Sequence, residues 1–231
     1  MPNKLTHRLD EALAALRAEA RPDQLEAMAR FGLTGDGRLG LAVPTLRALA
    51  REFRRDHALA LALWDTGIPD AQILAGMVAE PQELTVAQMD HWVAGMRAWD
   101  VCDQACLNAF VKSPLAWEAI PRWAAREPEF EKRAGFALLA VAAVHQKQRD
   151  DADFIARLPL IEAAADDDRN FVKKAVNWAL RQIGKRSAAL REPALTVADR
   201  LCSRSDKAAR WIGTDARREL LKMGSGSIKD R

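Results

Sequence analysis

Phe130-Glu131-Lys132-Arg133-Ala134 and Phe171-Val172-Lys173-Lys174-Ala175 are two versions of one pattern, set 41 residues apart. The same step carries Ala175 to Ala216, and Leu139 to Leu180 and then to Leu221. Alanine-rich helices resemble one another, so chance likeness is the competing explanation. Aligned Ala and Leu positions separated by helical turns favour true repetition. The offset fades upstream of Trp99, so the first half of the chain is inferred to follow the second.

A period of about 40–47 residues is that of the paired helices in HEAT and armadillo repeats. One such pair cannot bury its own apolar face, and neighbours must stack on it. The expected fold is therefore all-α, a HEAT-like or armadillo-type solenoid. Equivalent positions in successive repeats share one face, so Lys132, Arg133, Lys173 and Lys174, which begin an inner or an outer helix, would make a concave surface basic. Such a surface tracks a phosphate backbone.

The rest of the chain agrees with helix. Ala12-Leu13-Leu16, Leu46-Leu49-Ala50-Phe53 and Ile155-Leu158-Ile161-Ala164 recur at three and four. Pro44 suits a first helical turn, and Pro22-Asp23 opens a segment reaching Phe31. Ser113-Pro114 and Glu127-Pro128 separate helical runs. Gly32 to Gly40 reads as the longest loop. Residues 1–223 are expected to form one repeat domain, and 224–231, with Gly224-Ser225-Gly226-Ser227, a flexible tail.

Of 231 residues, 49% are hydrophobic, enough for one continuous stack. No stretch reaches the roughly 20 apolar residues of a membrane span, and Met1 to Ala20 lacks the layout of a signal peptide. A soluble cytoplasmic protein without membrane association is expected. Cys102, Cys106 and Cys202 lack CxxC spacing, and Cys102 and Cys106 read as small buried residues. His7, His57, His91 and His145 are scattered, so neither a metal site nor a cofactor is expected.

Charge is uneven. Residues 169–231 hold 16 Lys and Arg against 6 Asp and Glu, a net +10, which leaves −7 on the remainder. A basic C-terminal third fits either a polyanionic partner or a solvated helix surface.

Trp99-Asp100-Val101-Cys102-Asp103 sets Trp99 and Asp103 on one side of a helix. A lone Trp is commonly core and a lone Asp commonly solvated, and Asp100 fits an N-terminal cap equally well. Arg133 lies beside an apolar helix face, and Asn170 to Arg181 places Trp178 and Arg181 on another helix.

Together these segments resemble the AlkD-type DNA alkylation repair glycosylases, built from HEAT-like repeats. Leu25-Glu26-Ala27-Met28-Ala29-Arg30-Phe31 and Leu39-Gly40-Leu41-Ala42-Val43-Pro44 are similar to that family's first repeat. The resemblance implies excision of cationic N3- or N7-alkylated purines from duplex DNA, probing the backbone without base flipping. It gives Asp103 the catalytic carboxylate, Trp99 and Trp178 the aromatic walls and Arg133 a backbone phosphate. It places Arg181 and Phe31 on the DNA, beside Lys132, Lys173 and Lys174, which the repeat positions already bring to the basic face. Phe31 stands where the family can carry tyrosine, and Asn177 where glycine is familiar. The resemblance also implies a monomer acting in the cytoplasm, nucleoid-associated when bound. Two other readings stay open: a HEAT-repeat scaffold for proteins, and a DNA-damage sensor that binds without cutting.

Overall fold

The computed structural model describes residues 4–226, and these are helical with no strand among them. They divide into two compact units, Met1–Ala116 and Trp117–Arg231. No helix among the described residues is long and apolar enough to cross a membrane.

The first unit contains α1 (Lys4–Ala18), α2 (Leu25–Ala29), α3 (Val43–Phe53), α4 (His57–Asp65), α5 (Pro69–Val78), α6 (Val86–Gly95) and α7 (Trp99–Asn108). The periodic residues Ala12, Leu16, Leu46, Leu49 and Phe53 are buried as their spacing requires. Pro44 stands in the first turn of α3, whose N-terminal backbone group needs no partner. Thr85 and Gln88 close a reciprocal capping box on α6. The Ala- and Leu-rich core holds an aromatic cluster: Trp64 and Trp92 stack at 4.4 Å between centroids, and Phe110 tilts against Trp92 at 5.9 Å. Those tryptophans are packing residues, with Trp92 fully buried.

Between α2 and α3 the glycine-rich stretch is a loop, as its composition dictates. Gly40 has φ +83°, and a Cβ there would meet the Arg21 carbonyl oxygen at 2.4 Å, so only glycine fits. Two carboxylates hold this loop. Asp70, buried in the first turn of α5, accepts from the backbone N–H groups of Leu39 (2.7 Å) and Leu41 (2.9 Å). Asp100, in the first turn of α7, takes the Arg38 guanidinium at 2.7 and 3.0 Å.

The second unit contains α8 (Ala116–Ala124), α9 (Glu129–His145), α10 (Asp151–Ile155), α11 (Leu158–Ala163), α12 (Asn170–Arg186), α13 (Ala188–Cys202) and α14 (Lys207–Gly226). Both ends of α12 lie 41 residues beyond those of α9, and both helices have 17 residues. The equivalent rings of Phe130 and Phe171 stack at 5.5 Å. Side-chain hydrogen bonds between successive layers span 34 to 43 residues, from Lys185 to Glu219 at the short end to Arg186 and Ala143 at the long end. This is the repeat, expressed as contacts.

Two readings of the second half need correction. The third copy of the leucine position is not Leu221, which is 45% exposed, but Leu220, which is fully buried. The shift arises inside α14, because Ala216 still keeps the 41-residue step from Ala175 and is fully buried. The run Ile155 to Ala164 is not one helix. It breaks between α10 and α11 ahead of Pro159, and Ile155 is left exposed while Leu158 and Ile161 are buried. Helix α14 extends through Gly226, and residues 227–231 of the expected tail lie outside the described residues.

Candidate nucleic-acid interface

In the first unit the functional candidates gather at the N-terminal end of α7. Trp99 is its first residue and Asp103 stands one turn further on, both half-buried. The indole nitrogen of Trp99 donates to the main-chain carbonyl of Phe31 at 2.9 Å. The ring of Phe31 is 73% exposed. Trp99 and Phe31 are therefore neighbours across 68 residues of sequence.

What brings them together was not among the expected residues. Asp100 does not fill the N-cap position. The N-cap position is Ala98, with no side-chain cap. One oxygen of Asp100 accepts from the Val101 N–H at 2.9 Å, and the carboxylate grips Arg38. Arg38 also donates to the Thr34 carbonyl from two nitrogens, each at 3.2 Å. The pair is well covered, with side-chain exposures of 4% and 15%. The loop after Phe31 is thereby tied to the helix that carries Trp99 and Asp103. Their partners lie 62 and 31 residues away, so no local spacing announces Arg38 or Asp70.

In the second unit α12 carries the candidates in two groups. Trp178 is half-buried, and its indole nitrogen faces the Gln182 amide oxygen at 3.2 Å, one turn on. Arg181 is engaged by α14, with Glu219 hydrogen-bonded to it and Asp215 at 3.8 Å. Lys185 takes the other oxygen of Glu219 at 2.6 Å. Partial burial works to raise the Glu219 carboxyl, but the hydrogen bonds from Lys185 and Arg181 outweigh it and hold the group below its ordinary value.

Arg133 of α9 is 5% exposed, and one of its nitrogens donates to the Phe171 carbonyl at 2.6 Å. Lys132 is largely covered and pairs with Asp167 at 3.3 Å. A hydrogen bond from Arg169, then one from Lys132, depresses the Asp167 carboxyl against the cost of its burial. Lys173 and Lys174 are different. Lys173 sits over the ring of Trp211 at 5.2 Å, and Lys174 is exposed. The repeat thus uses its basic pair two ways: in α9 both members are covered and partnered, whereas in α12 Lys173 packs on Trp211 and Lys174 is exposed.

A cavity of about 530 Å³ is lined by Lys147, Asp151, Gln182, Lys185 and Arg186. Arg186 is spent there on the carbonyls of Ala143, Lys147 and Arg149 and on Asp151. It ties off the C-terminal end of α9, and the cavity carries no free cationic fork for a phosphate. Among the described residues no group of three His, Cys, Asp or Glu could hold a metal ion.

Comparison with known proteins fits this arrangement. No curated protein sequence matches the chain. A solved structure of "a new family of proteins related to the HEAT-like repeat DNA glycosylases with affinity for branched DNA structures" is similar, with TM-score 0.76 and 18% identity over 92% of this chain and 95% of that one. That likeness gives the fold, a stack of HEAT-like helical repeats. The family model described as "DNA alkylation repair enzyme" matches residues 12–220, spanning both units from α1 to α14. The chain belongs to the DNA alkylation repair enzyme family.

Proposed function

We propose that this protein is a DNA glycosylase that releases cationic N3- or N7-alkylated purines from duplex DNA. The observation that carries the reading is the α7 end: Trp99 and Asp103 one turn apart, with the indole oriented by the Phe31 carbonyl. Membership of an alkylation repair family over residues 12–220 supports it. An N3- or N7-alkylated purine is already positively charged, so it leaves as a neutral base without needing a proton. The barrier is the deoxyribose, which becomes oxocarbenium-like as the glycosidic bond lengthens. A carboxylate beside that sugar favours the transition state over the ground state. Asp103 is assigned this role and the orientation of the attacking water. Trp99 offers an aromatic face to the cationic nucleotide, contributing about 0.5–2 kcal/mol. Lys173 and Lys174 are assigned to backbone phosphates.

A second reading, binding without chemistry, has its own support. The similar solved structure is described by affinity for branched DNA rather than by catalysis. Arg133 is buried and Arg181 is paired with carboxylates, so neither presents a free fork to phosphate. The separating experiment is release of free base from methylated duplex by wild type and Asp103→Asn. Release by wild type but not by the variant supports the glycosylase. DNA binding by both without release leaves the binding-only reading.

A further inference from the structure

Seven tryptophans are spread over the chain, and one of them is out of place. Trp92 and Trp123 are fully buried, Trp64 stacks in the core, and Trp117 lies between Arg149 (4.1 Å) and Arg157 (4.9 Å). Trp211 of α14 is 41% exposed. Burying an indole is worth a few kcal/mol, so a lone surface Trp forgoes a large gain.

Its surroundings are cationic. Lys173 covers part of the ring at 5.2 Å. Lys174 is exposed on α12, and Lys207 and Arg210 are exposed in the first turn of α14. Among the described residues Lys174 and Lys207 have no carboxylate partner, while nearby Asp206 is taken by Arg204 at 2.9 Å. Asp215, one turn beyond Trp211, is shared by Arg181 and Arg218. Asp206 and Asp215 are thus already paired, while among the described residues Lys174 and Lys207 are not.

The platform is also fixed in place. Asn177, buried in α12, donates from its amide nitrogen to the Ile212 carbonyl at 3.2 Å. This bond locks the residue after Trp211 to the residue before Trp178. Asn177 is the residue that departs from the familiar glycine, and a glycine there could not make the bond.

We infer that Trp211 is a stacking platform for an unpaired nucleotide, with Lys173, Lys174 and Lys207 on the adjoining phosphates. An exposed aromatic face among unpaired cations is the arrangement that binds single strands. Bases in intact duplex are stacked on one another and offer no free face. The ligand is therefore duplex DNA that carries unpaired nucleotides beside the bound segment. This rests on the DNA-binding part of the proposed function and adds a substrate feature to it.

The test measures binding of the full chain to a blunt duplex and to the same duplex with a single-stranded overhang. Wild type is expected to prefer the overhang. Trp211→Ala should weaken overhang binding about tenfold, given roughly 1–3 kcal/mol per stacked base, and leave blunt-duplex binding within about twofold. Trp211→Phe should restore most of the preference. Thermal melting of both variants checks that the fold persists. Equal affinity of wild type for the two DNAs, or equal loss on both in Trp211→Ala, overturns the platform while leaving DNA binding intact. A shift of wild type from dimer to monomer in Trp211→Ala assigns the ring to self-association and also overturns it. Failure of wild type to bind either DNA removes the DNA reading itself, and this inference with it.

Discussion

Arg38 holds both carboxylate oxygens of Asp100, at 2.7 and 3.0 Å, from a position 62 residues earlier in the chain. The pair is nearly sealed from solvent and fastens the glycine-rich loop to the first turn of α7. Breaking a buried pair from one side leaves an uncompensated charge. Arg38→Met should therefore destabilise the protein by about 3 kcal/mol, read from urea denaturation. Arg38→Met with Asp100→Leu should recover part of that loss. A single variant that melts like wild type would show that the loop holds without the pair.

The bond from Trp99 to the Phe31 carbonyl makes a narrower prediction. Trp99→Phe keeps an aromatic face but loses the donor. Stability should fall by only about 1 kcal/mol, the net value of one hydrogen bond. Base release should fall further, by about tenfold or more, because the ring is no longer oriented against Phe31. Proportionate loss of stability and activity would show that orientation is not what the bond supplies.

Lys173 and Lys174 should contribute charge rather than sequence reading. Lys173→Glu with Lys174→Glu is expected to weaken binding to all duplex sequences. It should also lower the slope of log affinity against log salt by about 0.9 for each lost phosphate contact. An unchanged slope would remove both residues from the interface.

Glu219 sets a pH dependence. Its carboxyl is held below the ordinary 4.5 by Lys185 and Arg181, against its partial burial. A folded value below the unfolded one stabilises the protein above the unfolded value, and that stability is lost as pH falls through the folded value. Wild type should therefore exceed Glu219→Gln in stability at neutral pH. The gap should close as the solution is acidified below 4.5. A gap that stays constant on acidification would place the effect in packing, not charge. Asp167, depressed from 3.8 by Arg169 and Lys132, acts in the same direction lower on the pH scale.

How much of this was legible depends on sequence distance. Helix α9 and its 41-residue echo α12 could be read from Phe130 and Phe171, because periodicity and repetition are local signals. The proline of α3 and the glycine loop were likewise local. Arg133 was not legible as an interior residue, since its burial is decided by the Phe171 carbonyl 38 residues away. Arg38 and Asp70 gave no signal for the same reason. Trp211 was missed because an exposed tryptophan and a core one are written with the same letter. The exposure of Leu221 gave no signal, because the 41-residue step holds at buried Ala216 and is lost only in the following turn.

The 34-to-43-residue span of the bonds between layers has a kinetic consequence. Each layer closes a loop of similar, modest size onto the one before it, so the second unit need not meet one large entropic barrier. It can nucleate at α9 with α12 and grow by addition, and it can fray from α14 inward without losing the rest. Amide protons in α14 should then exchange with solvent sooner than those of α9, as a gradient along the chain and not as one cooperative event.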